Sequence, residues 1–254
     1  MTALLYIYNI IITLVILIAL TLIAGILPLI ERKLLSLAQR RVGPCFLGYR
    51  GRLQYIADAI KILIKDFYVP YYANKTLFIF SPSVTLGTCY LFWLNVFWGK
   101  NLLYFDIEYN LVLLIILGIL TNVLIIFTGY YSNNKYAFLG GLRTAISTFI
   151  LELVMGLLFL NIIVVNYSFS LMQCWVIQEE FWSIVYYFLI TPTIFIALLL
   201  ETNKAPFDLN EAESELVCGY HTEYGGFLFG LYYLSEYFHI FFFSTVMVIV
   251  FFGN

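Results

Sequence analysis

Charge is scarce in this chain. Only 11% of its 254 residues are charged, against 63% hydrophobic and 19% aromatic. Soluble domains carry roughly a quarter charged residues, so a water-soluble globule and a disordered chain are both excluded. Histidine is nearly absent, with His221 and His239 the only two. That argues against a haem-carrying bundle, where each bis-histidine haem takes two facing histidines. Cysteine is sparse as well: Cys45, Cys89, Cys174 and Cys218 lie far apart and form no CxxC pair. Their spacing makes neither a zinc site nor an iron–sulfur site, and free cysteines so placed read as small apolar fillers. An excess of positive charge is missing too. The balance of 13 Lys+Arg against 15 Asp+Glu, a net charge of −2, argues for no nucleic-acid partner. Neither an internal repeat nor a Pro/Gly/Ser linker divides the chain, so it reads as one domain over residues 1–254.

What is present is apolar length. A membrane-spanning helix needs about 20 mostly apolar residues, and uncharged stretches of that kind recur at roughly 3–30, 77–98, 111–130, 145–165, 181–200 and 225–252. The first, uncharged from Met1 to Ile30, is too long for a signal-peptide core. The expected fold is therefore all-α: a polytopic membrane protein of about six transmembrane helices. Pro192 predicts a kink in the fifth, because proline removes one backbone hydrogen bond.

The loops alternate sharply in charge. Loop one (31–76) holds nine basic residues, Arg32, Lys33, Arg40, Arg41, Arg50, Arg52, Lys61, Lys65 and Lys75. The other odd loops add Lys135, Arg143 and Lys204, whereas the even loops carry only Lys100. By the positive-inside rule the odd loops face the cytoplasm, or the matrix of a mitochondrion, and both termini lie on the opposite side.

Two loops exceed simple connectors. In loop one, Ile56, Ile60, Leu63 and Phe67 fall on one helical stripe, while Asp58, Lys61 and Lys65 fall on another face. This segment, Leu53 to Phe67, is expected as an amphipathic helix, either lying on the membrane with its lysines at the head groups or walling a site at the membrane surface. Loop five concentrates six acids, Glu201, Asp208, Glu211, Glu213, Glu215 and Glu223, against one base, Lys204. Carboxylates so crowded repel one another and bind protons exchangeably, the raw material of a proton path. Two further acids, Glu152 and Glu236, lie inside apolar spans. A charge at the bilayer centre costs roughly 2.5–3.5 kcal/mol on insertion scales, so such acids are paired, protonated or turned to a cavity. Glu236 and His239, at i and i+3, can meet on one face.

These same residues carry a resemblance. Glu201-Thr-Asn-Lys-Ala-Pro-Phe-Asp-Leu-Asn-Glu-Ala-Glu-Ser-Glu-Leu-Val-Cys-Gly resembles the acidic-loop signature of subunit 1 of respiratory NADH:ubiquinone oxidoreductase, complex I. Gly51-Arg-Leu-Gln-Tyr-Ile-Ala-Asp-Ala-Ile-Lys-Ile-Leu-Ile-Lys-Asp resembles that family's other signature. Glu31-Arg-Lys, Arg41-Val-Gly-Pro, Lys135-Tyr-Ala-Phe-Leu-Gly-Gly-Leu-Arg143 and Glu223-Tyr match in the right order. Lys204 departs from the family's usual arginine, as do Tyr55, Asp66, Asn210 and Ala212 from the residues common at their positions.

The resemblance implies a membrane subunit of the H⁺-translocating NADH:ubiquinone reductase, with ubiquinone as substrate. It implies no cofactor bound by this chain, and FMN and iron–sulfur clusters in partner subunits. The first span, the loop-one helix and the sixth span would frame the quinone tunnel. Glu31, Arg32, Asp58, Lys61, Asp208 and Glu211 would line it. Glu152, Glu201, Glu213, Glu215, Glu223 and Glu236 would relay charge or protons, supported by Arg143, Lys204 and His239. No metal site is expected. Implied partners are the peripheral-arm quinone-site subunits, the antiporter-like and small membrane subunits, and the lipid bilayer. The family continues beyond a sixth span with a basic loop and two more helices, so a separate chain supplying them is expected. The Phe and Tyr content (24 and 21), as in AT-rich organelle genomes, leans towards the mitochondrial inner membrane. Two alternatives are the membrane anchor of an energy-converting hydrogenase and a stand-alone proton-coupled transporter. The acids' clustering at one face instead of the midplane counts against the transporter.

Overall fold

A computed structural model of the chain describes residues 2–96, 109–178, 182–204, 207 and 219–252. These residues are mostly helical, without a strand among them. Helix α1 (Thr2–Ala38) runs well past the expected end at residue 30. At about 1.5 Å per residue it is far longer than the hydrocarbon core, so its last turns carry Glu31, Arg32 and Lys33 into loop one. Helix α2 (Gln54–Ile64) is the expected amphipathic helix, shorter than Leu53–Phe67 by one residue at its start and three at its end. Helices α3 (Lys75–Leu94) and α4 (Asn110–Tyr131) follow, then α5 (Lys135–Asn166), which begins ten residues before the expected span.

The fifth span is broken, which departs from the sequence expectation. Its described part forms a short α7 (Ser183–Tyr186) and then α8 (Ile190–Glu201), after α6 (Leu171–Ile177) in the preceding loop. Pro192 does not kink a continuous helix. It sits in the first turn of α8, where its missing N–H has no intrahelical acceptor in any case. Five helices among the described residues are therefore long and apolar enough to cross a membrane, with α8 shorter. The last, α9 (Gly226–Met247), runs on as a π-type turn over Val248–Phe252. The Gln178 side-chain amide donates to the Ile249 and Val250 carbonyls, groups that a helix end leaves without partners.

The main core lies between α3, α4, α5, α8 and α9. Phe92, Trp93, Leu111, Ile162, Ile194, Phe238 and Phe242 are essentially inaccessible there. Outside this core the large apolar side chains stay exposed, as at Ile11, Val15, Ile18 and Leu22 along α1. A bilayer is the solvent that tolerates such a surface.

A second, smaller core gathers Phe78, Tyr220, Tyr224, Leu228 and Tyr232. Tyr224 stacks on Phe78 at 4.1 Å, and its hydroxyl meets Ser81 Oγ at 3.1 Å. This core pins the turn Gly219–His221 against α5. A Cβ on Gly140 would lie 2.7 Å from the Gly219 carbonyl carbon, so only glycine allows the two backbones to approach.

Candidate functional site

Three helices enclose a cavity of about 470 Å³: α1 contributes Leu22, Pro28, Leu29 and Arg32, α2 contributes Tyr55, Ile56, Asp58 and Leu63, and α9 contributes Phe227, Leu231, Tyr233 and Tyr237. Gly230 on α9 makes the α2 contact possible, since a Cβ there would lie 2.6 Å from Ile62 Cγ2. The amphipathic helix thus forms one wall of this cavity, while its Ile56, Ile60, Leu63 and Ile64 stay exposed.

The cavity is apolar along most of its length and polar at one end. Arg32 donates to Asp58 at 2.7 Å, and Gln54 donates to the other Asp58 oxygen at 3.0 Å. Next to this pair, the Tyr237 hydroxyl donates to Glu31 Oε2 at 2.6 Å and accepts from Tyr233 at 3.3 Å. Lys204 lies 3.9 Å from the same Glu31 oxygen and 4.5 Å above the Tyr237 ring, a cation–π distance. Four expected residues, Glu31, Arg32, Asp58 and Lys204, are therefore brought together from helices distant in sequence. Lys61 is not among them: it is exposed on α2, outside the cavity lining. Asp208, Glu211, Glu213 and Glu215 lie outside the described residues.

The remaining acids form a second, interior set. Glu152 is 6% exposed, with Oε1 packed against Gly118 of α4 so closely that a Cβ there would collide with it. Glu152 Oε2 has no hydrogen-bond partner among the described residues. Glu152 and Glu201 line one small cavity of about 30 Å³. Glu201 and Glu236 line another of about 80 Å³, with Thr85, Thr88, Thr121, Asn122, Thr148, Tyr232, Ser235 and His239. At the ~10–15 Å³ that one water needs, the larger, polar-lined space has room for water, whereas the smaller is walled mainly by apolar side chains. Polar side chains from α3, α4, α5, α8 and α9 thus converge where a membrane interior would otherwise be dry.

The expected Glu236–His239 contact does not form. Glu236 Oε1 instead lies 2.9 Å from Nε2 of His221, and His239 Nε2 lies 3.2 Å from the Cys89 thiol. The i, i+3 spacing allowed the first pairing, but the docked turn at 219–221 delivers a competing imidazole to the carboxylate. Glu223, two residues on, accepts a short hydrogen bond from the Asn134 side chain. Asn134 Oδ1 meanwhile caps α5 by accepting from Tyr136 N–H at 3.0 Å. Arg143 stands on the same helix, half-buried and engaged in contacts.

Sequence reasoning missed His221, Tyr233 and Tyr237. Their signal was faint: Tyr233 and Tyr237 sit four residues apart on the same helix as Glu236, at a spacing that shares one face. Among the described residues no group of three or more His, Cys, Asp or Glu side chains is placed to hold a metal ion.

Residues 10–254 match the model of the family described as NADH dehydrogenase. NADH-ubiquinone oxidoreductase chain 1 of Paramecium tetraurelia is 51% identical over 248 residues, covering 98% of this chain and 94% of that protein. Chain 1 of the same oxidoreductase from Chondrus crispus is 36% identical, covering 89% of this chain and 69% of its own. The corresponding protein of Mycosarcoma maydis is 37% identical, covering 97% of this chain and 75% of its own. With the family model spanning nearly the whole chain, the chain belongs to the NADH dehydrogenase family.

Proposed function

We propose that this chain, a membrane subunit of respiratory NADH:ubiquinone oxidoreductase, forms the membrane end of a quinone tunnel and passes the redox event inward as charge. The observation that carries the proposal is the α1–α2–α9 cavity, with its long apolar wall and its polar residues Arg32, Asp58 and Tyr237, the last bonded to Glu31 outside the lining. A quinone has that same division, an apolar isoprenoid tail and a polar head. Asp208 and Glu211 of loop five complete the polar end on this reading, and Lys61 serves the approach to it from the exposed face of α2.

The relay consists of Glu201, Glu152 and Glu236, linked by the two small cavities, with Glu213, Glu215 and Glu223 as its loop-five side. Arg143, Lys204 and His239 support it. Quinone reduction next to loop five changes the charge there, and the buried carboxylates respond by exchanging protons. The electrons come from FMN and iron–sulfur clusters in partner subunits, and the chain itself binds no redox group. Its partners are peripheral-arm subunits at the loop-five face and antiporter-like and small membrane subunits within the bilayer. A neighbouring chain with a basic membrane-proximal segment and about two spans offsets the acid excess of loop five. The setting is the mitochondrial inner membrane, with loops one, three and five on the matrix side and the termini facing the intermembrane space.

The test uses a quinone with a photoreactive group on its tail, irradiated in the assembled complex and mapped by mass spectrometry. Label on residues 21–32, 55–63 or 227–237 is the expected result. Label confined to other subunits, or to the outer surface of α3 and α4, overturns the tunnel assignment. Sequencing the small hydrophobic chains of the same complex tests the basic neighbour, which is refuted if none packs on this chain.

A further inference from the structure

Both histidines of the sequence lie around one carboxylate, Glu236. His239 lines the cavity that Glu236 faces, and His221 touches Glu236 directly with Nε2 2.9 Å from Oε1. His221 is 6% exposed, and its other ring nitrogen, Nδ1, is buried without a hydrogen-bond partner among the described residues. Its placement is enforced from several sides. The Gly219–His221 turn rests backbone to backbone on Gly140 of α5, and the His221 carbonyl accepts from Tyr224 N–H at 2.9 Å. The ring lies 4.9 Å from Tyr232 and 5.9 Å from Phe229, both of α9.

From this geometry we infer that His221 is the proton carrier for Glu236, taking up and returning the carboxyl proton at Nε2. The inference rests on the reading of Glu236 as part of the charge relay. A neutral imidazole has one protonated nitrogen and one bare one. When Glu236 gives its proton to Nε2, the carboxylate and imidazolium remain as a hydrogen-bonded ion pair. Return transfer follows the same atoms in reverse. Each step moves one proton between named atoms and leaves the electron count unchanged.

The groups that set this exchange are few. From α9 they are Glu236 and Tyr232, and from the turn itself Tyr220, whose ring centre lies 3.6 Å from that of His221. From the following residues there is Glu223, held by Asn134. Helix α5 presents Gly140 and Gly141 to the turn, with Arg143 its charged residue close by in sequence. His239 is engaged with the Cys89 thiol, so it shares the cavity without competing for the Glu236 oxygen that His221 holds.

The test is made in the assembled complex in coupled membranes. His221→Gln retains an amide that can hydrogen-bond Glu236 but cannot carry a proton, and His221→Asn is a shorter second variant. Glu236→Gln, measured in parallel, tests the underlying relay. Turnover and proton movement are normalised to assembled complex and followed over pH. The expected result is a roughly hundredfold loss of coupled turnover in the histidine variants, the modest end for proton transfer by a placed side chain. The pH profile should also lose one ionisation, a change that mere packing would not cause. If Glu236→Gln is impaired while both histidine variants keep wild-type turnover and profile, the carrier role fails and the relay stands. If Glu236→Gln is itself unimpaired, the relay reading fails. Loss of assembly in both amide variants would assign His221 to packing and equally refute the carrier role.

Discussion

Glu152 shows how little room the interior leaves a carboxylate. Its Oε1 rests on Gly118, its Oε2 lacks a partner among the described residues, and the Thr148 hydroxyl beside it is already committed to Asn122 at 2.7 Å. An acid held this way gains little in stability from its charge, so its retention points to titration. Glu152→Gln keeps the shape and removes the proton site. Assembly should persist while coupled NADH:quinone turnover falls by roughly tenfold or more; normal coupled turnover in an assembled variant would contradict the relay. Gly118→Ala probes the same point from the opposite helix. The added methyl would meet the flexible end of Glu152 and not backbone, so overpacking costs at the low end of about 1–3 kcal/mol. The carboxylate must nevertheless move. Turnover should drop more than the thermal stability of the complex, and equal loss of both would make Glu152 a packing residue.

Between elements, two glycines distinguish rigid from adjustable contacts. A Cβ on Gly140 would meet the Gly219 backbone at 2.7 and 2.8 Å and Tyr220 N at 3.0 Å, groups that cannot rotate away. One on Gly230 would meet Ile62 Cγ2 at 2.6 Å, the tip of a side chain. Gly140→Ala should therefore lower the disassembly temperature of the complex markedly, by about 1–3 kcal/mol of overpacking. Gly230→Ala should leave stability nearly unchanged and alter quinone KM, because it shifts α2 against the cavity it walls. Thermal shift with quinone kinetics on both variants checks this, and a reversed order would refute the ranking. The Arg32–Asp58 pair belongs to the same wall. Both side chains are well exposed (50% and 36%), so the bond contributes ~0–1 kcal/mol and serves chiefly to orient the polar end.

Across the whole molecule, charge and exposure together set orientation. Cys45 is exposed in loop one, whereas Cys89 and Cys174 are buried. A membrane-impermeant maleimide should label Cys45 in inside-out inner-membrane vesicles and leave it unlabelled in mitoplasts. The opposite pattern would invert the proposed topology. The lipid-facing apolar side chains of α1 and the polar centre between α3, α5 and α9 make an inside-out arrangement relative to a soluble bundle, as a hydrocarbon solvent requires. Such a surface has no stable form in water, so the chain should be recovered only within membranes or in detergent.

Sequence alone determined the long helices other than the fifth expected span, because a bilayer imposes length and apolarity on each span independently of its neighbours. It also determined which acids are exceptional, since charge at such positions costs free energy wherever the helix packs. The amphipathic stripe of α2 was equally legible, but not what covered it: only the packing of α1 and α9 made it a cavity wall. The interruption before α8 escaped the hydropathy pattern because turn residues 187–189 are as apolar as the helices they join. Tertiary structure alone decided the partners of Glu31 and Glu236. Those contacts join Tyr237 to a residue 206 positions away and His221 to one 15 positions away. No helical period encodes such distances, and the close approach at Gly140 carried His221 to the carboxylate in place of His239.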